Sequence, residues 1–351
     1  MTSTSPSSAP DGREPQAAVA DRPFPAFVVT AVGDEVTAAV RTLTLDDLPP
    51  GEVLVEVAWS AVNYKDGMVT RPGNRVARTS PLVPGVDLVG TVATSSDPAF
   101  AHGDPVIVHG YDLGVARHGG FAGYARVPAG WVVPLPAGLT ARRAALLGTA
   151  GFTAALSLQR LEHHGLRPGS GPLLVTGASG GVGGMAVALA AARGYEVVAS
   201  TGRTEERDYL VGLGAADVIG RDDVVAAPER TLGPERWAGA VDCVGGPTLS
   251  AVLRTLRYGG AVAASGLTGG STFDSTVYPF IVRNVALLGI DTVLTPIAER
   301  RTVWAGLATW VPGPVIDALA GGDVDLTGLA PVLDDILAGR VRGRTLVRPT
   351  V

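Results

Sequence analysis

The 351-residue sequence predicts an α/β protein of two domains, one β-rich and one a doubly wound parallel sheet. Three observations carry this. The length exceeds what a single core fills, since cores usually stop growing below ~300 residues. From Phe27 to Gly138 short β-branched, apolar runs are separated by Pro and Gly, the pattern of a small barrel or partly open all-β module. From Ala141 onward apolar strands alternate with segments of helical spacing, which calls for a parallel sheet covered by helices.

In chain order, strands are expected at 26–32, 52–59, 87–94, 105–109, 120–127 and 131–133. Residues 141–164 place Ala144, Leu147, Ala155, Leu158 and Leu161 at helical spacing and stop before Pro168. A strand at 172–176, a glycine-rich turn, a helix at 182–193 and a strand at 196–200 then make one βαβ unit. Further strands are expected at 217–219, 238–243, 261–266 and 285–293, with helices at 205–213 and 248–256. The C-terminal part reads as a helix at 298–307 and β-like pieces at 331–333 and 345–347, folding back onto the first module. One domain therefore comprises 23–146 with 294–351, and the other 147–293. Residues 1–22, rich in Ser, Pro and Ala, are expected to be a disordered tail.

Composition removes several function classes. Hydrophobic residues make up 46% and charged ones 17%, so the body is compact rather than disordered. The net charge is -5 and the basic residues are scattered, which argues against nucleic acid as a partner. The longest apolar stretches, 185–192 and 197–199, are interrupted by Arg193 and Glu196 and fall short of the ~18 residues of a spanning helix. The N-terminus fits neither a signal nor a transit peptide. Cys243 is the one cysteine, so no intrachain disulfide forms, and a reducing cytoplasm is the compartment implied. With His102, His109, His118, His163 and His164 the only histidines, no three-ligand metal constellation is expected.

The stretch "LLVTGASGGVGGMAVALAAARGYEVVAST" carries the strongest chemical signal. Gly177, Gly180, Gly181 and Gly183 stand between a strand and a helix, where backbone N–H groups can approach a pyrophosphate at a helix N-terminus. The bland alternative is tight strand-to-helix packing. After the second strand comes Ser200-Thr201-Gly202-Arg203 instead of the carboxylate that would hold a ribose diol. Hydroxyls and a guanidinium suit a 2′-phosphate, so NADPH is expected rather than NADH, with Arg221 as a second positive charge. Arg203 simply solvating a loop is the competing reading.

"SAVNYKDG" holds the one lysine of a chain with 27 arginines. Together with "VPGVDLVGTV" (83–92), "GTAGFTAALSL" (148–158), "AVDCVGG" (240–246), "YGGAVAASGLTGG" (258–270) and "PFIVRNVALLGIDTV" (279–293), it resembles the zinc-free quinone oxidoreductase branch of the medium-chain dehydrogenase/reductase superfamily. Within that branch the chain, over about 26–347, is most similar to NADPH-dependent acrylyl-coenzyme A reductases.

The resemblance implies a GroES-like catalytic domain, discontinuous in sequence, and a Rossmann NADPH domain. Zinc dehydrogenases of the superfamily carry a ligand cysteine near Asn63 and Gly-His-Glu where this chain has Gly85-Val86-Asp87, so no metal is implied. Without a Lewis acid, the substrate should be an alkene already conjugated to a carbonyl. The implied reaction sends hydride to the β-carbon of acrylyl-coenzyme A and a proton to the α-carbon. Tyr64, Ser179, Gly180, Gly181, Val182, Thr201, Gly202, Arg203, Arg221, Leu267, Ile281 and Thr292 match nucleotide-contacting positions of the family.

In that frame Asn63 is a candidate amide donor to the thioester oxygen. Tyr64 is a candidate to hold the nicotinamide and supply a proton, with water as the alternative donor. Lys65 and Asp66 are expected as an ion pair fixing the turn, and Asp66 is the third catalytic candidate. Asn63 as a turn cap, and Lys65 with Asp66 as a solvated surface pair, are the competing readings. Arg71, Arg75 and Arg78 could meet coenzyme A phosphates or belong to a solvated loop. Cys243 is expected to be a buried, inert thiol. The run "NVALLGIDTV" is expected to be a sheet edge that pairs with its copy in a homodimer. A quinone or free-enone reductase, and a non-catalytic NADPH-binding protein, are the rival functions.

Overall fold

The computed structural model describes residues 22–226 and 230–350, so the expected tail lies outside them apart from Arg22. β1 (Phe24–Val32) and β2 (Glu35–Leu43) form an antiparallel hairpin closed at Gly33. β3 (Val53–Ala61), the short helix α1 (Tyr64–Val69), β4 (Asp87–Ser95), β5 (Pro105–His109), β6 (Tyr124–Val127) and β7 (Val133–Pro134) follow, and then the long helix α2 (Ala141–His163). β2 was absent from the sequence expectation because most of its side chains are exposed and polar or small.

β8 (Leu173–Thr176), α3 (Gly181–Ala192), β9 (Val197–Thr201), α4 (Arg207–Gly212), β10 (Asp217–Gly220) and α5 (Arg221–Val225) build the first half of the second sheet. β11 (Trp237–Asp242), α6 (Gly246–Thr255), β12 (Leu256–Ala264), α7 (Tyr278–Arg283) and β13 (Ala286–Gly289) build the other. The six strands are parallel and run in the order β10-β9-β8-β11-β12-β13. This is the doubly wound order, whose direction of progression reverses between β8 and β11, where ligands bind at the carboxyl ends of the strands.

α8 (Ile297–Trp310), α9 (Gly313–Asp317), β14 (Ala320–Asp325), α10 (Leu329–Leu337) and β15 (Arg344–Arg348) complete the chain. β15 pairs antiparallel with β3, Leu346 opposite Ala61 and Val347 opposite Ser60. It thereby joins a seven-stranded sheet ordered β14-β15-β3-β4-β5-β7, with β6 also on β3.

Two expectations are corrected. Residues 331–333 belong to helix α10, not to a strand: Leu329 and Leu333 are buried and Ile336 partly so, the i, i+4, i+7 spacing of a helix face. Pro331 falls in the first turn, where a missing N–H costs nothing. β13 ends at Gly289 rather than 293, because Asp291 turns the chain by accepting hydrogen bonds from Val293 N and Leu294 N.

α2 joins the two sheets in one core. Its Leu146, Leu147, Phe152, Leu158 and Leu161 are fully buried beside Met185, Leu189 and Trp304. Burying each such side chain stabilises the fold by roughly 1.5–3 kcal/mol. α3 is apolar all round because α2 covers one side and the sheet the other. Among the described residues no helix is long and apolar enough to cross a membrane.

Candidate active site

β3 delivers the chain to Asn63, which caps α1, so Asn63-Tyr64-Lys65-Asp66 within "SAVNYKDG" is a helix start. Asp66 lies in the first turn and is fully buried. Its Oδ2 accepts from Asn63 N (2.8 Å), and its Oδ1 accepts from Gly85 N (3.0 Å) and Val86 N (3.1 Å). These bonds weld α1 to the loop before β4. The expected Lys65–Asp66 ion pair does not form, because backbone amides take both carboxylate oxygens and Lys65 has no ion-pair partner among the described residues. Asp66 therefore positions the motif and cannot reach a substrate.

Burial pushes the Asp66 carboxyl up to about 7, with repulsion from Asp87 adding to it and the three amides opposing. A folded pKa above the unfolded value means the fold holds the proton better. The stabilisation is complete below about pH 3.8 and is lost as pH rises through about 7. Unfolding free energies measured by urea titration from pH 5 to 8 should fall with pH from this group, by at most about 1.4 kcal/mol per unit. The slope should flatten in Asp66→Asn; an equal slope in both proteins would rule Asp66 out as its source.

Asn63 is held from both ends of its amide. Nδ2 donates to Asp87 Oδ2 (2.9 Å) and Ala61 O (3.2 Å), while Oδ1 accepts from Arg344 Nη1 (3.0 Å). Both amide protons are thus spent inside the protein, which corrects the expectation that Asn63 donates to a thioester oxygen. Asp87 also accepts from Thr149 N (2.8 Å) and Thr149 Oγ1 (2.5 Å) through Oδ1, and from Arg344 Nη2 (2.9 Å) through Oδ2. The Asp87–Arg344 ion pair leaves each side chain only 3% exposed. Arg344 also donates Nε to Leu146 O and Nη1 to Val62 O. Gly148, at φ 44°, breaks α2 here: a Cβ would stand 2.5 Å from Asp87 Oδ2. Sequence reasoning noted Asp87 only as a replaced ligand position and missed Thr149 and Arg344, whose roles depend on contacts to residues 62 and 257 positions away.

The glycine turn follows β8 as expected. Gly177 has φ +61°, and a Cβ on Gly183 would stand 2.3 Å from Gly177 O. Gly180 differs, since a Cβ there would meet nothing nearer than Gly177 O at 3.4 Å. The backbone N–H groups of Gly181, Val182 and Gly183 open α3 and leave a cradle that suits a pyrophosphate.

Around the end of β9, Ser179 Oγ and Thr201 Oγ1 lie 2.9 Å apart, and Arg203 Nη2 donates to Ser179 Oγ (2.8 Å). The Arg221 guanidinium lies against Gly202, where a Cβ would stand 3.0 Å from its Nη2. No carboxylate pairs with Arg203 or Arg221 among the described residues. Two hydroxyls and two such guanidinium groups fit a 2′-phosphate and would repel nothing on it.

A cleft of about 530 Å³ opens at the carboxyl ends of β12 and β13, lined by Ala264, Ser265, Gly266, Gly289, Ile290 and Asp291. Thr292 follows Asp291 in the chain, and its carbonyl accepts from Arg300 Nη2 (3.0 Å). Arg300 is wholly buried and also binds the carbonyls of His109 and Thr295, tying this loop to β5. Trp304 Nε1 donates to His109 Nε2 (2.8 Å), and burial with the Arg300 charge holds the imidazole well below its usual pKa. His109 is therefore a neutral structural group.

The other expected contacts are more dispersed. Leu267 is 50% exposed and Ile281 72% exposed on α7. Arg71 pairs with Asp334 and Arg78 with Asp112, so those charges are already answered, while Arg75 is exposed. Cys243 is pushed up to about 12 by burial, which leaves an inert thiol. Among the described residues no group of His, Cys, Asp and Glu is arranged to hold a metal ion.

The zinc-binding dehydrogenase family model matches residues 181–309, and the alcohol dehydrogenase GroES-like domain model matches 49–137. The chain is 48% identical over 325 residues to the putative quinone oxidoreductase YhfP of Bacillus subtilis, covering 93% of this chain and 98% of that protein. It is 49% identical over 312 residues to the acrylyl-CoA reductase AcuI of Ruegeria pomeroyi, covering 88% and 94%. Among solved structures, E. coli YhdH with bound NADPH superimposes with TM-score 0.89 at 43% identity, covering 93% of this chain and 100% of that one. B. subtilis YhfP with NAD bound gives TM-score 0.90 at 47% identity, covering 93% and 99%.

Proposed function

We propose, for a chain that belongs to the quinone oxidoreductase branch of the medium-chain dehydrogenase/reductase family, that it reduces the alkene of acrylyl-coenzyme A, or of a close short-chain enoyl thioester, with NADPH. The observation that carries this reading is the 49% identity to a protein named acrylyl-CoA reductase over 94% of that protein's length. The Ser179, Thr201, Arg203 and Arg221 cluster supports NADPH as the cofactor.

The amides of Gly181, Val182 and Gly183 and the turn at Gly177 and Gly180 hold the pyrophosphate. By the family resemblance, Gly202, Leu267, Ile281 and Thr292 would hold the rest of the nucleotide, and Tyr64 would meet the nicotinamide. When bound, NADPH supplies the hydride that adds to the β-carbon. Tyr64, half-buried at the start of α1, is positioned by Asn63 and Asp66 to give a proton to the α-carbon. Arg75 is the loop guanidinium best able to meet a coenzyme A phosphate. Residues 147–293 are the nucleotide-binding domain, and the open edge of β13 pairs with its copy in a homodimer.

The test follows NADPH oxidation with acrylyl-coenzyme A and a benzoquinone in parallel, each repeated with NADH. Thioester turnover at least tenfold better in kcat/KM than quinone turnover is expected. The reverse order would favour a quinone reductase, the reading that the YhfP likeness supports. NADPH binding without turnover of either would make the protein a non-catalytic binder.

Two variants sharpen the assignment. Arg221→Ala should raise the KM for NADPH about 10- to 100-fold, since a charge-assisted hydrogen bond contributes roughly 1.5–3 kcal/mol. The KM for NADH should stay within threefold, and equal effects on both would remove Arg221 from the phosphate site. Tyr64→Phe should lower kcat about 100-fold, within the usual range for general acids. An unchanged rate would assign the proton to water.

A further inference from the structure

Residues 340–344 bridge the cofactor cradle and the α1 motif. At one end, Arg203 Nη1 donates to Arg340 O (3.1 Å) and Nη2 to Val341 O (3.1 Å). Next, Gly343 N donates to Ser179 O (3.0 Å), and a Cβ on Gly343 would stand 2.3 Å from Leu319 O, so this point is packed against its surroundings. At the other end the Arg344 side chain passes Gly181, where a Cβ would stand 3.0 Å from its Cδ, and reaches Asn63 and Asp87. The same short segment therefore touches two of the four residues read as 2′-phosphate ligands, Ser179 and Arg203, and two of the groups that frame the motif, Asn63 and Asp87.

From this geometry we infer that 340–344 is a strap through which recognition of the 2′-phosphate sets the position of Asn63 and Asp87, with Arg344 as its positioning residue. This rests on the NADPH reading of the Ser179 and Arg203 site. The donors of Arg203 divide into two sets. Nε and Nη2 meet Ser179 Oγ, with Nη2 also on Ser179 O, while Nη1 and Nη2 meet the strap carbonyls. A phosphate that takes over the place of Ser179 Oγ as acceptor forms stronger, charge-assisted bonds and pins the guanidinium. The bonds to Arg340 O and Val341 O remain, so the pinned guanidinium holds the strap more firmly. NADH, lacking the phosphate, leaves this grip unchanged. The phosphate then raises turnover as well as affinity, and coupling of this kind is reciprocal for binding.

The experiment is amide hydrogen exchange on the full chain, without cofactor and with saturating NADPH or NADH, alongside dissociation constants for both. Exchange at Gly343, Arg344 and α1 should slow at least fivefold more with NADPH than with NADH. In Arg344→Lys the NADPH increment should persist at Gly343 and vanish in α1. Its kcat for acrylyl-coenzyme A should fall at least tenfold, with the KM for NADPH within threefold. Preferential NADPH binding with equal protection by both cofactors would overturn the strap while leaving the cofactor reading intact. So would a parallel change of kcat and KM in Arg344→Lys, the mark of a merely structural residue. Equal dissociation constants for the two cofactors would overturn the NADPH reading and the strap with it.

Discussion

Asp87→Ala should lose about 3–5 kcal/mol of unfolding free energy, because it leaves the Arg344 guanidinium buried with no counter-charge. The loss is large for physical reasons visible in the site. Arg344 and Asp87 are each 3% exposed, so water cannot solvate the orphaned cation. The same change takes the acceptor of Thr149 N and one of the two acceptors of Asn63 Nδ2, and buried donors without acceptors cost more than a hydrogen bond contributes. The paired variant Asp87→Leu with Arg344→Met separates charge from shape. Removing both ions should recover most of the stability, since apolar replacements of buried ion pairs are often neutral. It should not recover turnover, because Asn63 has then lost both side chains that orient its amide and keeps only the Ala61 carbonyl. Urea denaturation and steady-state kinetics on the same preparations read the two effects. A loss below about 1 kcal/mol for Asp87→Ala would place this pair in the class of surface ion pairs and remove it as the frame of the site.

The difference between what the sequence carried and what it did not follows contact range. The βαβ unit was legible because strand, glycine turn and helix are neighbours in the chain, and β8, α3 and β9 lie within two residues of their expected bounds. The cofactor cluster was legible for the same reason: Ser179 and Thr201 are brought together by that unit alone. Asp66 was misread as the partner of Lys65 because adjacent opposite charges suggest a pair. The helix start instead turns Asp66 inward, onto amides at residues 63, 85 and 86. Arg344 could not be found at all, since nothing local marks one arginine among many. Its importance comes from β15 pairing with β3, which sets it beside residues far away in sequence. β14 escaped for a different reason, as Gly321 and Gly322 dilute its strand signal.

Gly180→Ala should leave the fold within about 1 kcal/mol of wild type, the range of helix N-cap exchanges, yet weaken NADPH at least ~30-fold, equivalent to about 2 kcal/mol. The argument turns on the contrast with Gly183. There a Cβ would meet the carbonyl oxygen of Gly177 at 2.3 Å and Ala178 Cα at 2.7 Å, both backbone atoms that move only if the turn moves. Gly183→Ala should therefore cost stability, about 1–3 kcal/mol by overpacking, and lose cofactor affinity as a consequence. Gly180 has an ordinary φ of -84° and 3.4 Å to its nearest neighbour, so neither strain nor packing requires glycine at that position. A ligand does require it, because a methyl group at the N-cap of α3 would intrude where the phosphates approach the amides. The pair of variants thus separates the two explanations of the glycine turn. Thermal unfolding and NADPH titration by fluorescence would measure both. A Gly180→Ala protein that is stable and binds NADPH as wild type does would leave tight strand-to-helix packing as the sole reason for the motif, and would remove the cradle from the site.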